Sequence, residues 1–413
     1  MKRWLIAGCV TLGLAMNARA ENTTLTVAAF PAVDQIVKAA IPGWKKLHPD
    51  VDIKVVGREY ADHHNAMVTT LATGGTPPDV MAVEFGFVAR FAEAGALDDL
   101  AKPPYGGGEF KARFVPYTIS LCTNSAGELS VLPADVGPGA LFYRRDLLDK
   151  AGVTEKELTA SWESYIEAGK KIKAATGAYL LASANDIKSI VIRSDLQGGE
   201  GVFFDKDRKV IVDSPRFVRA FELAKAVHDA KLDAKIGAWS NEWSEGFKRG
   251  TIATQMMGAW LGGHLKTWLA PNTKGLWRTA SLPNGAHAFW GGTFYAIPKK
   301  SANKAAAWEF IKYMTLDRSV QLAAFRDQDA FPALIEAQAD PFFEQPIEFL
   351  GGQKARLLWR DEVARIPALD VNKHDSIADE VVSTELDKVI EQGKDIKTAL
   401  ADAKALIARR ARR

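Results

Sequence analysis

Few side chains in this sequence have the types and spacing of covalent chemistry. The seven histidines are scattered. His63 and His64 are adjacent, so on a helix they point to different faces, make a poor metal pair and read as a solvated face. There is no HExxH and no G-x-S-x-G elbow; Ser125 follows Thr123-Asn124. No P-loop lysine follows the glycines at 106–108, and Gly198-Gly199-Glu200-Gly201 lacks the strand-then-helix setting of a nucleotide site. Asp98-Asp99, or Glu84 with Asp135, could form the carboxylate pair of a glycosidase. What remains is chemistry of recognition. Residues 288–298 read AFWGGTFYAIP: an indole, two glycines and an alternating strand-like run. Glycine lets another group approach the backbone, and an indole offers a flat apolar face with one N–H donor. The stretch is either a pocket wall or a strand entrance with Trp290 in the core.

The elements that must position these groups alternate. Residues 24–30 read as a strand, 33–47 as a helix, 51–56 as a strand, 61–72 as a helix, 79–84 as a strand and 85–94 as a helix. Such βαβ units predict a mainly parallel sheet with ligands at the carboxyl ends of its strands. That edge holds Phe30, Glu84 and Phe85; Glu84 is either functional or a solvated strand end. Residues 131–135 and 140–146 read as strand with a Gly/Pro break at 136–139, a plausible hinge. Helices are predicted over 161–175 with Ser161 as N-cap, 214–230 and 303–315, and the tail from 377 to 410 is strongly helical. Residues 251–260 read as a strand ending in Gly258-Ala259-Trp260, and 325–332 as an irregular segment. Trp239 and Trp243 are spaced i, i+4, which suits core packing or a surface stripe.

At 413 residues, with 25% charged and 47% hydrophobic, the chain is ordinary for a soluble globular protein of two domains or one two-lobed unit. The first twenty residues read as a signal peptide: basic Lys2-Arg3, an apolar run over 4–16, and an Ala18-Arg19-Ala20 cleavage site. The run is too short to span a bilayer. Cys9 in Ile6-Ala7-Gly8-Cys9 comes too early for a lipoprotein box. Without the leader's three basic residues the chain carries 50 basic and 50 acidic residues, which favours neither nucleic acid nor an anionic membrane surface. Cys122 is then the only cysteine; no intramolecular disulfide is possible, and a buried thiol is expected.

The ordered set of segments resembles the extracytoplasmic solute-binding proteins of ABC importers, in the carbohydrate-binding branch. The resemblance is carried by Leu71-Ala72-Thr73-Gly74-Gly75-Thr76-Pro77-Pro78-Asp79-Val80, residues 133–143, Arg145-Asp146-Leu147-Leu148 with Ala151-Gly152-Val153, Gly250-Thr251-Ile252-Ala253 with Gly258-Ala259-Trp260, residues 291–298, and Val389-Ile390-Glu391-Gln392-Gly393 with Ala399-Leu400. Each motif alone is weak; their order is specific.

The resemblance implies an α/β periplasmic-binding-protein fold of two lobes, 21–136 plus 293–328 and 137–292 plus 329–413. Three segments near 136–139, 289–293 and 327–331 would cross between the lobes, with the ligand in the cleft. By position it implies ligand contacts from Glu84, Phe85, Trp260, Trp290, Gly291 and Gly292, with Asp135 and Arg326 beside the crossings and Tyr60 after the second strand. Asp135 reads equally as a hinge cap. The chain departs from the pattern at Phe30-Pro31, which offers no side-chain hydrogen bond, and at Pro138, which would stiffen the first crossing. The implied activity is binding a sugar and handing it to the permease subunits of an ABC importer from the periplasm, as a monomer, without catalysis or cofactor. Trp260 would be the principal stacking platform, since indole faces suit sugar C–H faces and charged groups suit hydroxyls. The rival readings are an exported glycosidase and a binder of an acidic or phosphorylated solute clamped by Arg326 or Arg58.

Overall fold

The computed structural model describes residues 22–412; the expected leader and its cleavage site lie outside them. The opening alternation is present: β1 (Thr23–Ala29), α1 (Val33–Leu47), β2 (Val51–Gly57), α2 (Tyr60–Thr73), β3 (Val80–Glu84) and α3 (Phe85–Glu93). β1 pairs in parallel with both β2 and β3.

The expectation of a mainly parallel sheet is not met. β4 (Leu132–Arg144), β5 (Thr254–Gly258), β6 (Trp277–Ala280), β7 (Phe289–Ala296) and β8 (Phe331–Pro332) enter only through antiparallel pairs. The order is β2-β1-β3-β7-β4-β5, with β6 and β8 also on β4. β7 arrives from far along the chain rather than through a crossover helix, so nothing forces it parallel.

The expected break at 136–139 is absent as well. β4 is one strand, with register shifts between Pro133 and Asp135 and between Val136 and Pro138. Its first half pairs with β7 and β8, its second half with β5 and β6. A bulge bends a strand without ending it, so Gly and Pro here mark a bend where two groups of strands meet. The close contacts at this bend explain two glycines. A Cβ on Gly137 or Gly258 would run into the Trp290 carbonyl oxygen and the Trp260 Nε1. Residues 325–332 are less irregular than expected. A helix, Arg318–Gln328, runs through the first half of them and ends at Asp329 with φ 50°.

The Leu71–Val80 motif turns out to be architectural. The Asp79 carboxylate accepts hydrogen bonds from Thr26 N at 2.9 Å and Ser301 Oγ at 2.9 Å, tying β1 to the segment after β7. Cys122 is buried, and burial pushes its thiol pKa up. Ser161 caps the helix Trp162–Thr176 as expected. The helical tail is two helices, Asp375–Gln392 and Ile396–Arg410, separated at Gly393 in the left-handed conformation. No described helix is long and apolar enough to cross a membrane.

Candidate functional site

Three strands place the first carboxylates. Glu84 lies opposite Thr293 on β7, and Thr293 lies opposite Asp135 on β4. Glu84 is also the N-cap of α3 and accepts from Gly86 N at 2.8 Å with Oε2, satisfying an orphan helix amide. Tyr60 Oη donates to the same oxygen at 2.8 Å. The Glu84 amide donates to His64 Nε2 at 3.2 Å, so His64 donates from Nδ1 to the Tyr60 carbonyl at 2.8 Å. That arrangement requires a neutral ring, and burial holds the His64 pKa down at about 3. Both histidines are buried, which corrects the expectation of a solvated face: His63 Nε2 sits 2.8 Å from the Ala82 carbonyl, and His64 stacks on Phe87 at 4.1 Å. Phe30, which offered no polar group, packs edge-on to Tyr60 at 5.9 Å. Among the described residues no group of three or more His, Cys, Asp or Glu is placed to hold a metal ion.

Glu84 faces a cavity of about 270 Å³. Burial raises its pKa, with the Asp135 charge adding to the effect and the Gly86, Tyr60 and Arg193 contacts opposing it. On the same side the cavity is lined by Tyr60, Phe85, Gly86 and Phe87, and its floor is Trp290 and Gly291. Gly291 has φ 75°, a backbone that a side chain rarely adopts, and a Cβ there would lie 3.4 Å from Glu84 Oε1 and 3.3 Å from Trp260 Nε1.

The far wall comes from residues that sequence reasoning missed: Ser189, Arg193, Val202, Phe203, Asp375, Ser376 and Asp379. Arg193 lies just past the helix Ala184–Val191; its Nη1 donates to the Ser189 carbonyl at 2.9 Å. Its guanidinium stands 5.3 Å from the Trp290 ring centroid, and Nη2 lies 3.4 Å from Asp379 Oδ2. Buried Lys188 lies 3.8 Å from Asp379 Oδ1 and donates to Ser383 Oγ at 2.8 Å. Although burial works against the charge, Arg193 and Lys188 hold the Asp379 pKa below its ordinary value. Asp375, in the first turn of the helix Asp375–Gln392, has only a 2.9 Å bond from the Asn372 amide, and burial raises its pKa to about 7. The sole sequence signal for this wall is the i, i+4 pair Asp375 and Asp379 at the head of a helical tail; Arg193 has none.

Of the expected residues, Tyr60, Glu84, Phe85, Trp290 and Gly291 come together in the cavity wall. Four do not line it. Asp135 is bonded to Thr293 and borders a 10 Å³ void with Val33, Tyr295 and Met314; burial raises its pKa to about 6. Gly292, with φ 137°, packs its Cα hydrogens toward the Asp135 carbonyl. Trp260 is half-buried next to Gly291 and donates from Nε1 to the Trp290 carbonyl at 2.8 Å. Arg326 is exposed, 4.9 Å from the Phe342 ring centroid; Arg58 is exposed too. Asp98 is bonded to Tyr105 and Lys304, and Asp99 to the Ala101 and Leu129 amides.

Residues 26–321 match the family model described as bacterial extracellular solute-binding protein. The chain is 27% identical to the lactose-binding protein of Rhizobium radiobacter over 352 residues, 81% of this chain and 80% of that one. It is 26% identical to the arabinooligosaccharide-binding protein of Bacillus subtilis, over 75% of this chain and 72% of that one. Its fold matches the ABC transporter associated binding protein of B. animalis subsp. lactis in complex with beta-1,6-galactobiose, with a TM-score of 0.78, 23% identity and coverage of 93% and 96%. It also matches maltose-bound MalE3 of T. maritima, at 0.76, 20%, 94% and 99%.

Proposed function

The chain belongs to the bacterial extracellular solute-binding protein family, and we propose that it binds a sugar or oligosaccharide in the Glu84–Trp290 cavity. It would deliver that ligand, unchanged, to the permease subunits of an ABC importer. On this reading it works as a periplasmic monomer after cleavage behind Ala20. Its lobes, 21–136 plus 293–328 and 137–292 plus 329–413, close about the bulged β4, β7 and the segment around Asp329. The observation that carries the reading is the cavity itself. An indole face lies beside bare glycine backbone, ringed by Tyr60, Glu84, Ser189, Asp375 and Ser376. A sugar needs both an apolar platform and a rim of donors and acceptors. Lactose and arabino-oligosaccharide recognition by relatives supports the same class of ligand.

The charge of the cavity weighs against an acidic or phosphorylated solute. Three carboxylates line it, and its one guanidinium is engaged by Asp379. Thermal-shift screening with mono-, di- and trisaccharides tests the proposal. A ligand at 100 times its Kd adds about 2.7 kcal/mol, a readily seen shift. A shift with glycerol phosphate or a uronate and none with neutral sugars would overturn it. Chromatography after hours of incubation tests the second half, since cleavage of the best-binding saccharide would move the case to a glycosidase.

A further inference from the structure

The charge of the cavity's occupant can be read from the charges of its lining. Glu84, Asp375 and Asp379 are carboxylates, and Arg193 is the one cation among the lining side chains. That guanidinium is shared, since its charge favours the ionised form of all three. It is also committed elsewhere. Nη1 donates to the Ser189 carbonyl at 2.9 Å, and Nη2 lies 3.4 Å from Asp379 Oδ2. Lys188 does not restore the balance: it is fully buried outside the lining, 3.8 Å from Asp379 Oδ1 and bonded to Ser383 Oγ. With every group ionised, three carboxylates against one guanidinium leave two negative charges unmatched, and one if Lys188 is counted.

The unmatched charges have free oxygens. Glu84 spends Oε2 on Tyr60 and Gly86, at 2.8 Å each, and no described residue donates to Oε1. Oε1 lies beside bare backbone, 3.4 Å from where a Gly291 Cβ would sit. On the opposite wall, Asp375 Oδ2 accepts from the Asn372 amide at 2.9 Å, and no described residue donates to Oδ1. Neither carboxylate has a cation at ion-pair distance among the described residues; the cavity's ion pairs belong to Asp379. The charged groups beyond them are acidic as well, Asp135 next to Glu84 and Asp370 next to Asp375, and burial raises both pKa values, that of Asp375 to about 7. A neutral saccharide filling this space would shut both carboxylates away from solvent with hydroxyl donors and no countercharge, a costly state. A protonated primary amine brings three N–H donors and the missing positive charge together.

We propose that the saccharide held in this cavity is an amino sugar, with its protonated amine between Glu84 Oε1 and Asp375 Oδ1. This rests on the sugar-binding reading of the cavity and adds the charge of the ligand to it. The amine then carries the selection. Its hydroxyl counterpart has the same shape without the charge, and its N-acetyl counterpart loses the charge and gains bulk.

The test is calorimetry of the full chain with glucosamine, galactosamine and their β-linked dimers, each beside its hydroxyl and N-acetyl counterparts. At least one free amine should bind about tenfold or more tightly than both of its counterparts, as expected for a charge-assisted hydrogen bond. Its affinity should rise from about pH 5 to about pH 7.5, because Asp375 must release its proton to hold the ammonium, and the hydroxyl counterpart's should not. Asp375→Asn keeps an acceptor and loses the charge, so it should shrink the ratio of amine to hydroxyl affinity about tenfold. An equal loss for amine and hydroxyl in that variant overturns the proposal, because Asp375 would then be an acceptor for any sugar. A hydroxyl or N-acetyl sugar that binds the wild type as tightly as its amine also overturns it and leaves the sugar reading standing. The same holds if neutral saccharides of the thermal-shift screen bind and no amine does. If no saccharide, charged or neutral, binds the wild type, the sugar reading falls and the amino-sugar proposal with it.

Discussion

The two walls of the cavity are held by different forces. On the near wall, Glu84 is fixed by hydrogen bonds at 2.8 Å from the uncharged donors Tyr60 and Gly86, and Tyr60 is held in turn by a neutral His64. On the far wall, Arg193, Lys188 and Asp379 face each other at 3.4 and 3.8 Å, beyond good hydrogen-bond length, and Asp375 keeps one backbone contact. Short, directional hydrogen bonds with fixed geometry keep a site preorganised whether or not a ligand is present. Charges at ion-pair range tolerate displacement and respond to solvent. The near wall is therefore the template, and the far wall is the part that adjusts. Trp290 touches both, through Gly291 to Glu84 and through its ring to Arg193.

Removing the shared element should have the largest effect. Trp290→Ala takes away the platform and the partner of Arg193, and buried aromatic anchors cost about 2 kcal/mol or more on truncation. The saccharide that stabilises the wild type most should bind at least thirtyfold more weakly, with the apo melting temperature little changed. Wild-type affinity in a folded variant would dissolve the comparison, since neither wall would then meet at Trp290. Glu84→Gln tests the near wall alone. Gln keeps an acceptor for Tyr60 and Gly86 and loses only the charge, so affinity should fall about tenfold, in line with about 1.5 kcal/mol for one charge-assisted hydrogen bond. An unchanged Kd would leave Glu84 as a cap of α3 and nothing more. Trp260→Phe removes the 2.8 Å bond to the Trp290 carbonyl and keeps a ring. Affinity should fall only about threefold to tenfold, the range of about 1 kcal/mol for one neutral hydrogen bond. A thirtyfold loss would restore Trp260 to the leading place that its position in the sequence suggested.

The near wall was legible in the sequence, and the far wall was not. β3 and α3 follow each other directly, so strand period and helix start together put Glu84 and Phe85 at a strand's carboxyl end. Trp290-Gly291-Gly292 announced itself through two glycines, and both have positive φ. The far wall joins Arg193 to Asp379 across a sequence separation of 186 positions, a pairing that no local period encodes. Asp135 and Arg326 were suggested by nearness to crossings, but a residue next to a bend can face either way. Asp135 turns to Thr293 and Arg326 to Phe342. The sheet was misread for a similar reason. Local alternation reports only β1 to β3; the antiparallel return of β7 is a long-range event.

The smallest expected effect separates the walls by pH. Burial raises the Asp375 pKa from 3.8 to about 7, with Arg193 opposing and Asp370 and Asp379 reinforcing the shift. A carboxyl whose folded pKa is raised binds its proton more tightly in the folded state than in the unfolded one. Below about pH 4 both states are protonated and the group costs nothing. Between pH 4 and 7 the unfolded chain releases the proton first, so stability falls as pH rises, and above pH 7 the deficit is complete. Asp375→Asn cannot ionise and retains an acceptor for the Asn372 amide. Its melting temperature should match wild type at pH 4, climb above it between pH 4 and 7, and stay a few degrees higher at pH 8, where about 1 kcal/mol corresponds to about 2–4 °C in a chain of this class. His64 on the near wall stays neutral in the folded protein, its pKa at about 3, while the unfolded imidazole takes up a proton below about 6.5, so it costs stability as pH falls through that window in wild type and Asp375→Asn alike and cancels in their difference; Glu84, whose pKa burial also raises, acts in the same sense as Asp375. Repeating the series in Glu84→Gln isolates that share. A melting-temperature gap for Asp375→Asn that is widest at pH 4, or absent at pH 8, would mean that Asp375 is charged and compensated in the folded protein, and that the far wall is as firmly set as the near one.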